Sequence, residues 1–264
     1  MLRELSDASA GRAESLHGRR AELERAVADA PIVPGFAAAL RGTRVTVIAE
    51  VKRRSPSKGD IAPGLSAGAQ SAAYAAGGAA ALSILTEPLR FGGSDADVAE
   101  ARAATALPIL KKDFHVAPLQ MLEARALGAS AALLIARALA PAALVELART
   151  ARDAGLETLV EIRDERELEA ALLAEATVIG VNNRNLETLV IDLATGERLV
   201  PLIPADRVAV FESGVYGPAE VEQAAAAGAD AVLVGSSLSA AADPAAALRA
   251  IAGIARRGRV AVAA

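Results

Sequence analysis

The chain contains no cysteine, which excludes a disulfide frame, a thiol nucleophile and a zinc–thiolate cluster. Its only imidazoles are His17 and His115, too few for a histidine-rich metal site. Aromatic residues make up 2% of the sequence, with Phe present four times, so an apolar wall for a flat ring would have to come from very few side chains. Lysine is scarce as well: of 28 basic residues only Lys52, Lys58, Lys111 and Lys112 are lysine. Arginine stays charged at ordinary pH and is a poor proton donor, so lysines persisting in an arginine-rich chain are candidates for proton chemistry. Asparagine is confined to Asn182, Asn183 and Asn185.

No run of about 18 apolar residues is free of charge, so no membrane span is expected. The first residues carry Arg3, Glu4, Asp7, Arg12 and Glu14 with no apolar stretch behind them, which argues against a secretory signal and for the cytoplasm. The net charge is −4 and the basic residues are scattered. Nucleic acid needs a concentrated positive face and is not an expected partner. Nothing in this acidic surface points to an obligate protein partner.

What is present is a large apolar fraction, 53% of 264 residues, close to the size of one (β/α)8 barrel. From about Thr43, short apolar runs alternate with alanine-rich stretches. The runs are 45–51, 80–85, 108–114, 131–135, 157–162, 177–182, 207–213 and 231–236, and each suits a strand buried on both faces. The stretches between them are rich in helix formers, and Gly78, Gly128, Gly155 and Gly228 stand where helices should end. GASAALLI at 128–135 is echoed by GADAVLVG at 228–235. Eight strand–helix units imply a single TIM barrel over 43–264, with a doubly wound open sheet as the alternative. Residues 1–42 form an N-terminal helical extension within the same domain, with a helix expected across 15–30 and ended by Pro31 and Pro34. That helix either plugs the barrel bottom or leans toward the mouth.

The polar residues of the apolar runs gather at their C-terminal ends, where such barrels hold their chemistry. They are Glu50 and Lys52, Lys112, Glu161, Asn182 with Arg184, Glu212 with Ser213, and Gly235 with Ser236. Strand alternation points Glu50 and Lys52 the same way and Lys111 opposite to Lys112, which makes Lys111 the bystander. Lys58 is expected in solvent, and His115 is expected to be a loop residue. The sequences ESG at 212–214 and GSS at 235–237 suit a phosphate cradle after the last two strands, shared by many barrels. Two lysines and two glutamates at one mouth can neutralise a carboxylate, donate protons and remove them. Metal ligation by the glutamates is the rival, though no His or Asp stands beside them. Phe91 and Phe114 both follow strand ends and could flank an aromatic substrate.

The stretch IAEVKRRSPSKG at 48–59 resembles the signature of the indole-3-glycerol phosphate synthases. The likeness continues through ILTE and FGGS around Phe91, LKKDF at 110–114, LVEI at 159–162, GVNNRNL at 180–186, ESGV at 212–215 and LVGSSL at 233–238. It implies a lyase free of metal and cofactor. Its substrate would be 1-(2-carboxyphenylamino)-1-deoxyribulose 5-phosphate, its products indole-3-glycerol phosphate, carbon dioxide and water. By that resemblance Lys112 is the general acid, Glu161 the base or proton relay, and Glu50 orients lysine and helps protonate the leaving hydroxyl. Lys52 holds the substrate carboxylate or phosphate. Asn182 and Arg184 contact substrate, and Ser213, Gly214, Gly235 and Ser236 cradle phosphate. Ser55, Phe91, Phe114 and Glu212 complete the expected binding set.

Three positions depart from the commoner pattern: Arg54 for a frequent lysine, Arg90 where tyrosine is frequent, and Phe211 at a usually small position, which alternation turns toward the helices. Phosphoribosylanthranilate isomerase, a neighbouring barrel, would ordinarily need a Cys–Asp pair, and there is no cysteine here. A silent relative acting as a regulatory subunit would be expected to lack Lys112 or Glu161.

Overall fold

In a computed structural model, residues 1–259 are described; positions 260–264, the last of the expected barrel domain, lie outside them. Eight parallel strands follow one another: β1 (Thr46–Val51), β2 (Ala81–Leu85), β3 (Ile109–Lys112), β4 (Ala131–Ile135), β5 (Glu157–Ile162), β6 (Val178–Asn182), β7 (Val208–Glu212) and β8 (Ala231–Val234). β1 pairs with both β2 and β8, so the sheet closes into a barrel. An open sheet is thereby ruled out. Each strand is followed by a helix, from Ala67–Gly77 after β1 to Pro244–Ile251 after β8. Gly78 and Gly228 end their helices in left-handed geometry, both at φ +93, a conformation that costs glycine little.

Alternation divides the apolar residues into two layers. Val47, Ala49, Leu82, Ile84, Ile109 and Val232 face the helices, while Ile48, Leu110, Leu133, Leu159, Val210 and Leu233 fill the barrel interior. Phe211 faces outward as expected and is fully buried. Its ring lies so close to Gly196 that a Cβ there would sit 2.1 Å from Cε2. Lys111 also faces outward, paired with Asp95 at 2.9 Å and Glu123 at 3.0 Å.

The N-terminal extension departs from expectation. Instead of one helix over 15–30 it holds α1 (Leu2–Glu14), a short 3-10 turn at His17–Arg19, α2 (Arg20–Asp29) and α3 (Phe36–Ala39). Neither placement foreseen for the 15–30 helix is found. α2 packs outside the barrel, with Leu23 against Leu119 beside Leu122. The bottom plug is α3 instead: Phe36 and Leu40 join the interior cluster, and the Glu157 carboxylate accepts the N–H groups of Phe36 and Ala37 at 2.6 and 3.0 Å. The mouth is reached by α1, which carries Leu2 and Leu5 into the cluster of Phe114 and Ile135. Arg12 of α1 meets Asp113 at 2.6 Å across 101 residues of sequence.

Candidate active site

A cavity opens at the C-terminal ends of the strands. Glu50, Lys52, Ser55, Phe91, Lys112, Phe114, Glu161, Asn182, Arg184, Ser213 and Ser236 all line it. Sequence elements as far apart as β1 and β8 therefore meet at one rim. Beside it lies a smaller polar pocket bounded by Lys52, Arg184, Gly214, Tyr216, Gly235 and Ser236.

Glu50 is the hub. Its Oε1 lies 2.6 Å from Lys52 Nζ and its Oε2 lies 3.0 Å from Lys112 Nζ, so one carboxylate joins two ammonium groups. Burial alone would raise the Glu50 pKa, but Lys112 and Lys52 outweigh it and hold the carboxyl at about 2. Burial would lower Lys112, yet the carboxylates of Glu50, Glu212 and Glu161 raise it above the ordinary lysine value. Lys112 therefore enters the site as a fully protonated ammonium. Glu161 is raised by burial, against the opposing pull of Lys112 and Asn182.

Glu212, expected in the binding set, lines neither cavity and lies buried 3.5 Å from Lys112. Neither of its carboxyl oxygens has a hydrogen-bond partner. Burial pushes its pKa up to about 8, despite the lowering effect of Lys112. Burial thus favours the protonated form of Glu212, and the Lys112 ammonium opposes it.

Two glycines make room for this cluster. A Cβ on Gly180 would stand 1.9 Å from Glu212 Oε1, and one on Gly235 would stand 2.3 Å from Glu50 Oε1. Gly235 therefore clears space for Glu50 besides bounding the polar pocket. An isolated glycine inside the apolar run 177–182 was the available signal for the first of these.

Phe91 and Phe114 both line the cavity. Their ring centroids lie 6.4 Å apart, and Lys52 Nζ lies 5.8 Å from the Phe91 centroid. Leu133, Ile135, Leu186 and Leu189 extend the apolar wall. The loop of Phe91 is organised by a residue not foreseen, Glu87. Its buried carboxylate accepts the N–H groups of Leu89, Arg90 and Phe91 at 2.8, 2.7 and 3.1 Å. Asp113 does the same for the next loop, accepting Phe114 N–H at 2.8 Å and Thr86 Oγ1 at 2.9 Å.

On the far side, Asn182 Oδ1 accepts the Arg184 N–H at 2.9 Å. Asn183, also unforeseen, is a clamp. Its amide donates to the carbonyls of Glu212 and Ser213 at 2.8 and 3.1 Å and accepts Gly196 N–H at 2.8 Å. It holds the turn after β7, where Ser213 and Gly214 both take positive φ, +64 and +83. Ser55 is buried and its hydroxyl accepts the Lys58 N–H at 3.2 Å. Arg54 is turned to solvent and pairs with Asp60 at 2.7 Å, while Arg90 pairs with Glu4 at 2.7 Å. His115 is buried outside the cavity lining, with Nδ1 2.8 Å from the Leu133 carbonyl. Burial and Lys111 lower its pKa to about 4.

Among the described residues no group of three His, Cys, Asp or Glu side chains could hold a metal ion, and no helix is long and apolar enough to cross a membrane.

A parallel barrel with a charged rim and a polar recess after its last two strands belongs to the class of (β/α)8 enzymes that place chemistry at the strand ends. Solved structures share this fold at low sequence identity. A 3-hexulose-6-phosphate synthase from Salmonella typhimurium superposes with a TM-score of 0.63 at 15% identity, covering 78% of this chain and 96% of its own. A thiamine phosphate pyrophosphorylase from Pyrococcus furiosus gives 0.60 at 15%, covering 80% and 95%.

Within that class, the chain belongs to the indole-3-glycerol phosphate synthase family, whose model matches residues 5–251. It is 53% identical to the indole-3-glycerol phosphate synthase of Streptomyces griseus over 86% of this chain and 84% of that one. It is 49% identical to indole-3-glycerol phosphate synthase 2 of Streptomyces coelicolor over 91% and 96%.

Proposed function

We propose that this chain converts 1-(2-carboxyphenylamino)-1-deoxyribulose 5-phosphate to indole-3-glycerol phosphate, carbon dioxide and water, in tryptophan biosynthesis. The observation that carries the assignment is Lys112, 3.0 Å from Glu50 and 3.5 Å from Glu212, in a cavity also lined by a pair of phenylalanines. Ring closure needs a proton delivered to a carbonyl oxygen while an aromatic carbon attacks the carbonyl carbon. Lys112 supplies that proton as general acid. Loss of carbon dioxide then restores the aromatic ring.

The second half is a dehydration. Glu161, its pKa raised by burial, exchanges the proton of this step, and Glu50 orients Lys112 and Lys52 while the hydroxyl leaves. Lys52 neutralises the substrate carboxylate, close to the Phe91 ring that flanks the anthranilate moiety. Phe114 supplies the adjoining wall. Asn182, Arg184 and Ser55 contact the substrate from the rim, and Ser213, Gly214, Gly235 and Ser236 receive the phosphate in the polar pocket. Glu212 acts through Lys112 and not by touching substrate. We place the enzyme in the cytoplasm as a single domain, the extension of 1–42 serving the barrel of 43–264, with no obligate protein partner.

The experiment is direct. Purified protein incubated with the carboxyphenylamino substrate should develop indole fluorescence with release of carbon dioxide. Folded protein that gives neither signal refutes the assignment and favours a silent relative.

A further inference from the structure

The loop after β1 carries a lysine that this chemistry leaves unused. Residues Arg54–Ser55 pair antiparallel with Gly59–Asp60 to make a small hairpin, closed at its base by the Arg54–Asp60 ion pair of 2.7 Å. Arg53 anchors the hairpin to the barrel, donating to Asp97 at 2.6 and 2.8 Å and to the Leu65 carbonyl at 3.0 Å. Pro56 and Ser57 reach the main cavity. Beyond them, Lys58 Nζ sits 5.3 Å from the centroid of the Tyr216 ring.

Tyr216 comes from the loop after β7, two strands from β1 around the barrel, and bounds the polar pocket together with Gly214, Ser236 and Ser237. Its side chain is half-exposed. The Lys58 N–H bonds to Ser55, inside the hairpin itself. The Tyr216 ring meets this tip from the loop after β7. A carboxylate partner would cancel the lysine's charge, whereas a ring face orients an ammonium and leaves its charge and outward N–H groups available.

We propose that Tyr216 is a positioning residue: its ring docks Lys58, holds the tip of the 54–60 hairpin at the edge of the polar pocket that Tyr216 bounds, and presents the ammonium to the substrate's phosphate. The proposal rests on the phosphorylated substrate assigned above and adds two residues to its recognition. Lys58 is exposed, as expected from sequence, and the proposal gives that solvated lysine a role.

Two measurements test it. In steady state, Tyr216→Leu and Lys58→Met should each raise KM roughly two- to five-fold, the size of an exposed cation–ring contact, with a smaller change in kcat. The double variant should be no worse than either single one, and Tyr216→Phe should behave as wild type. Independently of turnover, inorganic phosphate should slow trypsin cleavage after Arg54 in the wild type and in Tyr216→Phe, but not in Tyr216→Leu or Lys58→Met. Additive KM effects, a Tyr216→Phe variant as impaired as the leucine one, or no phosphate protection of the wild type would each overturn the proposal. Should the wild type form no indole yet show this protection pattern, the reaction assignment fails while the hairpin clamp stands.

Discussion

Replacing Lys112 by methionine removes the ammonium and keeps most of the side chain's length and apolar contacts. The structure sets the cost. Glu50 loses its 3.0 Å partner but keeps Lys52 at 2.6 Å. Glu212 loses its ionic neighbour at 3.5 Å, and without that lysine burial favours its protonated form still more. Breaking one side of a buried pair costs about 3–5 kcal/mol, and the retained lysine places this case at the low end, about 3 kcal/mol. At roughly 2–4 °C per kcal/mol for a chain of this size, the variant stays folded at assay temperature. Catalysis should suffer far more, with kcat falling by about 10²–10⁴ for loss of a general acid. Substrate binding, followed by calorimetry on the inactive variant, should change little by comparison. Lys112→Arg is the control, because it restores the charge without a transferable proton. Its melting temperature should approach wild type while its kcat stays low. If either variant keeps kcat within about ten-fold of wild type by indole fluorescence, the general-acid role is wrong.

Gly235→Ala should push the Glu50 carboxylate aside, since the new Cβ would lie 2.3 Å from Oε1. Losing a charge-assisted contact of about 1.5–3 kcal/mol predicts a kcat drop of ten-fold or more with unchanged circular dichroism; full activity would show that the bridging geometry is dispensable. Phe91→Ala should raise KM by about ten-fold, the scale of one aromatic contact, and an unaltered KM would remove Phe91 from the ring site. The pH dependence of stability separates Glu212 from Glu50. Glu212, raised to about 8, binds its proton more tightly in the folded state, so stability falls as pH rises from the ordinary carboxylate range through about 8. Glu50, lowered to about 2, contributes stability above the ordinary range that is lost as pH falls toward 2. Glu212→Gln should therefore melt several degrees above wild type at pH 9, by thermal scanning, and show the same acid limb; parallel curves throughout would contradict the raised pKa of Glu212.

Much of the barrel was legible because its strands are short apolar runs between glycine-ended helices. Their outer ends were less so. The runs at 108–114 and 231–236 stop as strands at Lys112 and Val234, since pairing ends at the rim while the side chains still suit a strand. α1 was missed for a different reason: its buried face is only Leu2, Leu5, Ser9 and Ala13, and Leu2 and Leu5 stand out only once they share a cluster with Phe114 and Ile135. The charged cluster could be read from alternation, which puts Glu50, Lys52 and Lys112 inside and Lys111 outside. Glu87, Asp113 and Asn183 could not. They act by accepting or donating backbone hydrogen bonds in loops, and such loops leave no periodic trace in sequence.

The shared carboxylate of Glu50 has a consequence for how variation can accumulate here. Because a single anion satisfies two cations from different strands, substitution at either lysine alters the setting of the other. Effects measured at Lys52 and Lys112 should not sum. Natural exchange at one position would have to wait for a compensating change at its mate.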